Sequence, residues 1–171
     1  MKKINSLIPA LLAMVVGAVA IAVWSVASVS PVEAAGDPIV VIVNNANPVD
    51  NLSLGELKKL FLGDRSRWDT GKAVAPVMLA PGAPERTAFL KIVCGMSDAD
   101  LGKYFLQAAF TGKSATPPKE VSSAAAVKSF VAGSPGGIGF VKASDLPAGD
   151  TTVKAVKVDT AASDPSYKIK M

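Results

Sequence analysis

Leu54-Gly55-Glu56-Leu57-Lys58-Lys59-Leu60-Phe61-Leu62-Gly63-Asp64-Arg65-Ser66-Arg67-Trp68 is the stretch on which the fold turns. Ser53 stands just before it, and Glu56 follows three residues later, which is the pattern of a capping box. Leu54, Leu57, Leu60 and Phe61 form an apolar stripe at helical spacing. Lys58 and Lys59 lie toward the C-terminal end, where cations suit the helix dipole. Gly63 supplies the stop. A short amphipathic helix therefore runs into a polar loop, Asp64 to Lys72, with Asp69-Thr70-Gly71 as its turn. Trp68 in that loop is expected to fold back over the helix end; the alternative is an exposed recognition residue beside Arg65 and Arg67.

Upstream, Ile39 to Val43 is a continuous β-branched run ending in Asn44-Asn45, the pattern of a strand buried on both faces. Asn47-Pro48 and Asp50-Asn51 mark a loop. Downstream, Ala73 to Leu79 reads as a second strand, with Pro76 arguing for an edge or a strand start. Ala80 to Pro84 is a tight connection, Pro84 suits the first position of a helix reaching about Val93, and Gly95 ends it. Ser97 caps a further helix whose apolar face carries Leu101, Tyr104, Phe105, Ala108 and Ala109. After the Thr111–Pro118 loop come a very short strand at Lys119–Val121 and an Ala-rich helix from Ser122 or Ser123 to about Ala132. A strand at Ile138–Val141 and a final alternating strand at Val153–Val158 complete the chain. Strands that alternate with helices predict an α/β fold: a mixed, partly parallel sheet flanked by helices.

The chain has 171 residues, no His and one Cys. Without His, the usual zinc sites, Ser-His-Asp triads and Cys-His dyads are excluded. Cys94 cannot form an internal disulfide and reads as a buried structural thiol. The formal charge of +4 is spread thinly; nucleic-acid binding would need a clustered basic face, and none is present. No enzymatic activity, cofactor or metal is expected. Lys2 and Lys3, the apolar run from Leu7 to about Val29, and Val32-Glu33-Ala34 give residues 1–34 the form of a secretory signal cut after Ala34. The run is also long enough for an uncleaved membrane anchor. Either way the protein is expected outside the cytoplasm, periplasmic or extracellular, touching a membrane only through that segment. Residues 35–158 make one domain, and 159–171 a polar, loosely held tail.

The quoted helix and loop resemble a segment of the phosphate-binding proteins of ABC transporters, where a helix ending in Phe-Leu-Gly runs into a loop holding a Trp. Val74–Met78 resembles the next strand of that family. Pro81-Gly82-Ala83-Pro84-Glu85-Arg86-Thr87-Ala88-Phe89 takes the place of its Gly-Ser-Gly-Thr loop and helix start. Ser134-Pro135-Gly136-Gly137-Ile138-Gly139-Phe140-Val141 resembles its Pro-Gly-Ala-Ile-Gly-Tyr strand. The resemblance runs from about Ile39 to Val141 and implies one lobe of a type II periplasmic binding protein, whose complete fold has two lobes around a cleft.

The family's phosphate loop is altered here. A helix start binds an oxyanion through free N–H groups and a positive dipole end. In this chain Ala83 lacks a hydroxyl, Pro84 lacks an N–H, and Glu85 brings a carboxylate. The candidate ligand-binding residues are Gly82, Ala83, Glu85, Arg86 and Thr87, with Asn44 and Asn45 beyond the first strand, where open α/β sheets place ligands. The competing structural reading is that Glu85 stabilises its own helix start, Arg86 is a solvated charge, Thr87 faces its own turn, and the asparagines build a local turn. The expected partner is a small phosphate-like anion or, in the alternative, an envelope protein that docks on a lobe with no small ligand. The lobe's open face is expected to be too apolar to stay bare, pairing with another chain or lying under the tail.

Overall fold

A computed structural model describes residues 37–113, 115–146, 149–159 and 169. The signal-or-anchor expectation for residues 1–34 lies outside the described residues, as does most of the tail. Among the described residues are six strands and four α-helices: β1 Ile39–Asn44, β2 Asn51–Ser53, α1 Leu54–Phe61, β3 Ala75–Leu79, α2 Pro84–Phe89, α3 Asp98–Phe110, β4 Lys119–Val121, α4 Ala124–Gly133, β5 Gly137–Lys142 and β6 Val153–Asp159. The strands form a mixed sheet in the order β2-β6-β1-β5-β3-β4.

β1 lies near the centre, antiparallel to β5 and to β6. All six of its residues are buried. Successive side chains point to opposite faces of a strand, and the sequence of β1 serves both. Ile39, Val41 and Val43 join one core with Phe61, Phe89 and Phe140, while Val40 and Ile42 join the other with Val127 and Val131 of α4. On the first face the Phe89 and Phe140 rings stack with centroids 4.1 Å apart, and Phe61 leans on Phe89 at 4.7 Å. On the second face α4 presses so closely that a Cβ on Gly139 would come within 2.7 Å of Val127 Cγ1.

Local sequence signals set the helix ends. Ser53 and Glu56 form the expected capping box on α1, and Ser97 with Asp100 forms another on α3. Ser123 caps α4. Three features depart from expectation. Asn51–Ser53 is a short strand, not loop, because β6 offers it a parallel edge. The second predicted helix is α-helical only to Phe89 and continues as a π-turn, Leu90–Cys94. The tail is held at Ile169, which is buried and exchanges backbone hydrogen bonds with Ile39 at 2.7 and 2.9 Å.

Strand direction decides what can meet. β3 runs parallel to β5, and β5 runs antiparallel to β1. The C-terminal end of β1 therefore lies at the opposite end of the sheet from the C-terminal end of β3.

Candidate functional site

β3 delivers the chain to Pro81, Gly82 turns it with a φ of +93°, and Ala83 stands at the N-cap of α2 with no side-chain cap bond. Pro84 at the first helical position removes one N–H from the helix start. Glu85 follows in the first turn of the helix. Its carboxylate accepts from its own backbone N–H and pairs with Lys142 Nζ at 2.8 Å. Burial alone would raise its pKa, but the Lys142 ammonium and the amide N–H outweigh it and hold the carboxyl below its usual value. Thr87 Oγ1 donates to Ala83 O at 3.3 Å.

Arg86 is neither solvated nor free, contrary to the reading of it as a surface charge. It is 3 % exposed. Its Nε donates to Asp98 Oδ1 at 2.5 Å, and its Nη1 to Glu120 Oε1 at 2.7 Å and to Leu79 O at 2.8 Å. The guanidinium thus ties α2 to the start of α3 and to the edge strand β4. Its aliphatic stem and planar donor fork suit such a buried junction. Asp98 and Glu120, which sequence reasoning did not single out, stand 12 and 34 positions away; no local signal marks them as partners.

Asn44 and Asn45 do not join this group. Asn44 Nδ2 donates to Val131 O and Ala132 O at 2.9 and 2.8 Å, serving the last carbonyls of α4, and its Oδ1 accepts from Ala46 N. Asn45 is exposed. Both lie at the other end of the sheet, so a single pocket formed by Asn44, Ala83 and Arg86 does not exist. Trp68 lies at that end too, buried, with its indole N–H donating to Gly136 O at 3.0 Å. It covers the core, as the fold-back reading expects.

Beside the α2 start runs a groove of about 360 Å³. Met78, Leu101, Phe105, Pro117 and Pro118 give it an apolar lining. Arg86, Asp98 and Glu120 supply its polar wall. A second cavity, of about 270 Å³, opens between Leu60, Arg65, Pro76, Lys119 and Phe130. There Lys119 Nζ sits 4.7 Å above the Phe130 ring, while Arg65 is taken by Glu56 and Asp69. Among the described residues no group of three or more His, Cys, Asp or Glu is placed to hold a metal ion.

No family model matches the sequence. Solved structures do. A Clostridium perfringens protein described as a phosphate ABC transporter substrate-binding protein, solved with bound phosphate, aligns over 75 % of this chain with a TM-score of 0.59 and 26 % identity. The chain has the fold of the phosphate-binding proteins of ABC transporters. A Vibrio cholerae ABC-type phosphate transport receptor aligns over 77 % at TM-score 0.58 and 21 % identity, and PstS from Borrelia burgdorferi over 80 % at 0.59 and 13 %. The chain spans only about half of each: 47, 49 and 55 % of their lengths. This share fits one lobe of that fold, and no helix of the described residues is long and apolar enough to cross a membrane.

Proposed function

We propose that this chain is an exported, non-catalytic module of the solute-binding-protein type whose phosphate grip has been replaced by internal ion pairs. One observation carries the reading: Glu85, in the first turn of α2, holds its carboxylate in an ion pair with Lys142. An incoming phosphate would have to displace that carboxylate and lie beside it, and like charges at such a site repel by several times the strength of an exposed ion pair. Arg86 and Thr87, which could have compensated, are already bonded within the protein. Export rests on the form of residues 1–34, with the domain beginning near Ala35.

The test is calorimetric titration with inorganic phosphate. The expected result is no saturable binding in the micromolar range. Phosphate bound with a micromolar or tighter constant overturns the proposal. A second reading, docking to an envelope protein, is favoured by α3: Leu106 and Phe110 stand one helical turn apart, 60 and 82 % exposed. Cross-linking in intact cells through a photoreactive residue at position 110, giving no adduct, would count against it.

A further inference from the structure

Helix α3 has apolar residues on two sides. Leu101 and Ala108 are buried, and Tyr104 and Phe105 pack against the core. The outer side carries Ala99, Gly102, Leu106, Ala109 and Phe110, all exposed, and only Asp100, Lys103 and Gln107 make it polar. Leu106 is 60 % exposed and Phe110 82 %. A helix apolar on nearly every side is expected to be covered, and a bare Phe one turn from a bare Leu marks a contact surface.

The same helix carries the counterpart of that Phe. The groove of about 360 Å³ beside it is lined by Met78, Leu101, Phe105, Pro117 and Pro118. Gly102, exposed and without a side chain, lines it too, and a Cβ there would meet no atom within 4 Å. Gly102, Leu106 and Phe110 stand four residues apart. Leu106 is therefore the midpoint between a hole and a knob, each about 6 Å away along the helix. A two-fold axis through Leu106 runs two copies of α3 antiparallel and sets Phe110 of each over Gly102 of the other. One rotation serves both rings and both grooves, the self-complementarity that a closed pair requires. The charges agree with it. Lys113 of each copy, half exposed, comes level with the acidic first turn of the other, Asp98 and Asp100, and Lys103 faces Ala109 instead of a like charge.

We propose that the occupant of this surface is a second copy of the chain, paired antiparallel through α3, with Phe110 of each copy in the groove of the other. This pairing shares with the docking reading above the claim that α3 is a contact surface, and replaces the envelope protein by the chain itself. It is independent of phosphate binding at the α2 start.

Disulfide trapping on the full chain tests the register, since the native Cys94 is buried. Leu106→Cys lies on the two-fold axis, so mild oxidation with copper phenanthroline is expected to give a covalent dimer on non-reducing electrophoresis. Gln107→Cys, also exposed but turned about 100° away, is expected to give at least about tenfold less. Gly102→Cys and Phe110→Cys should each stay uncrosslinked alone and cross-link when mixed. In sedimentation velocity the full chain is expected to dimerise with a dissociation constant of about 100 μM or tighter, as small interfaces do. Phe110→Lys should weaken that at least about tenfold. Its melting temperature should not change, because the ring is exposed and a cation suits a helix C-terminus. A chain monomeric at about 1 mM, or trapping of positions 106 and 107 alike, overturns the proposal. So does association that Phe110→Lys leaves intact, as association through the apolar run at 7–29 would be. A monomer that forms a photo-adduct with another protein from position 110 overturns the self-pairing while the docking reading stands.

Discussion

Replacing Arg86 by Met isolates what the buried guanidinium contributes. Methionine keeps most of the stem's volume, so the change removes chiefly the charge and its bonds. Three acceptors lose their partner: Asp98, Glu120 and Leu79 O. The carboxylates are 31 and 51 % exposed and can turn to water, so each loss should cost no more than the ~0–1 kcal/mol of a surface pair. The bond to Leu79 O is buried, and a buried acceptor that loses such a partner costs about 1–3 kcal/mol. The sum is about 3 kcal/mol. For a domain of this size that lowers the melting temperature by roughly 10 °C. Urea unfolding followed by far-UV circular dichroism measures it. Glu120→Gln alone should cost about 1 kcal/mol or less, and adding it to Arg86→Met should cost almost nothing more, since the pair is already broken. A loss below about 1 kcal/mol in Arg86→Met would refute the reasoning, because it would mean that the guanidinium joins nothing the fold needs.

Acid should weaken the fold through Glu85, whose folded pKa is depressed below its ordinary 4.5. The stability this adds is present above pH 4.5 and is lost as pH falls through the lower folded value. Melting curves of Glu85→Gln should therefore converge on the wild type below that range, and curves that stay parallel down to about pH 3 would contradict it. Lys142, raised above 10.5 chiefly by its bond to Glu85, adds the opposite limb, with stability lost as pH rises beyond its folded value. Gly136→Ala should destabilise by about 3 kcal/mol or more, because its Cβ would run into Ala73 O and the backbone cannot step aside. Gly137→Ala, whose Cβ meets Ser134 O and Val131 Cα at 2.9 Å, should cost distinctly less; chemical denaturation of both variants gives the order. Cys94, buried and with its thiol pushed up to about 11 by burial, should react with a thiol reagent at neutral pH only as fast as the protein unfolds. Rapid labelling of the folded protein would count against that burial.

The amino-acid sequence by itself determined those features whose causes lie within a few residues. Ser53 and Glu56 are three positions apart, so their capping box was legible, and Ser97 was legible as an N-cap. The unbroken apolar run of β1 announced burial on both faces. Four motifs in register, at 54–68, 74–78, 81–89 and 134–141, indicated the family resemblance, and the alternation of strands with helices indicated the mixed α/β class. The strand at Asn51–Ser53 was missed because the edge it pairs with, in β6, lies about a hundred positions away in the chain. The fate of the charged and amide side chains was decided only by the tertiary structure. Arg86 looks solvated until Asp98, Glu120 and Leu79 O are brought around it, and Asn44, which does build its local turn through Ala46 N, also meets the last carbonyls of α4. The physical reason is that apolar patterning acts through the period of one element, whereas a polar group's role depends on which partner meets it. Strand direction carries the same lesson for the whole site. β5 runs parallel to β3 and antiparallel to β1, which sends Asn44 and Arg86 to opposite ends of the sheet.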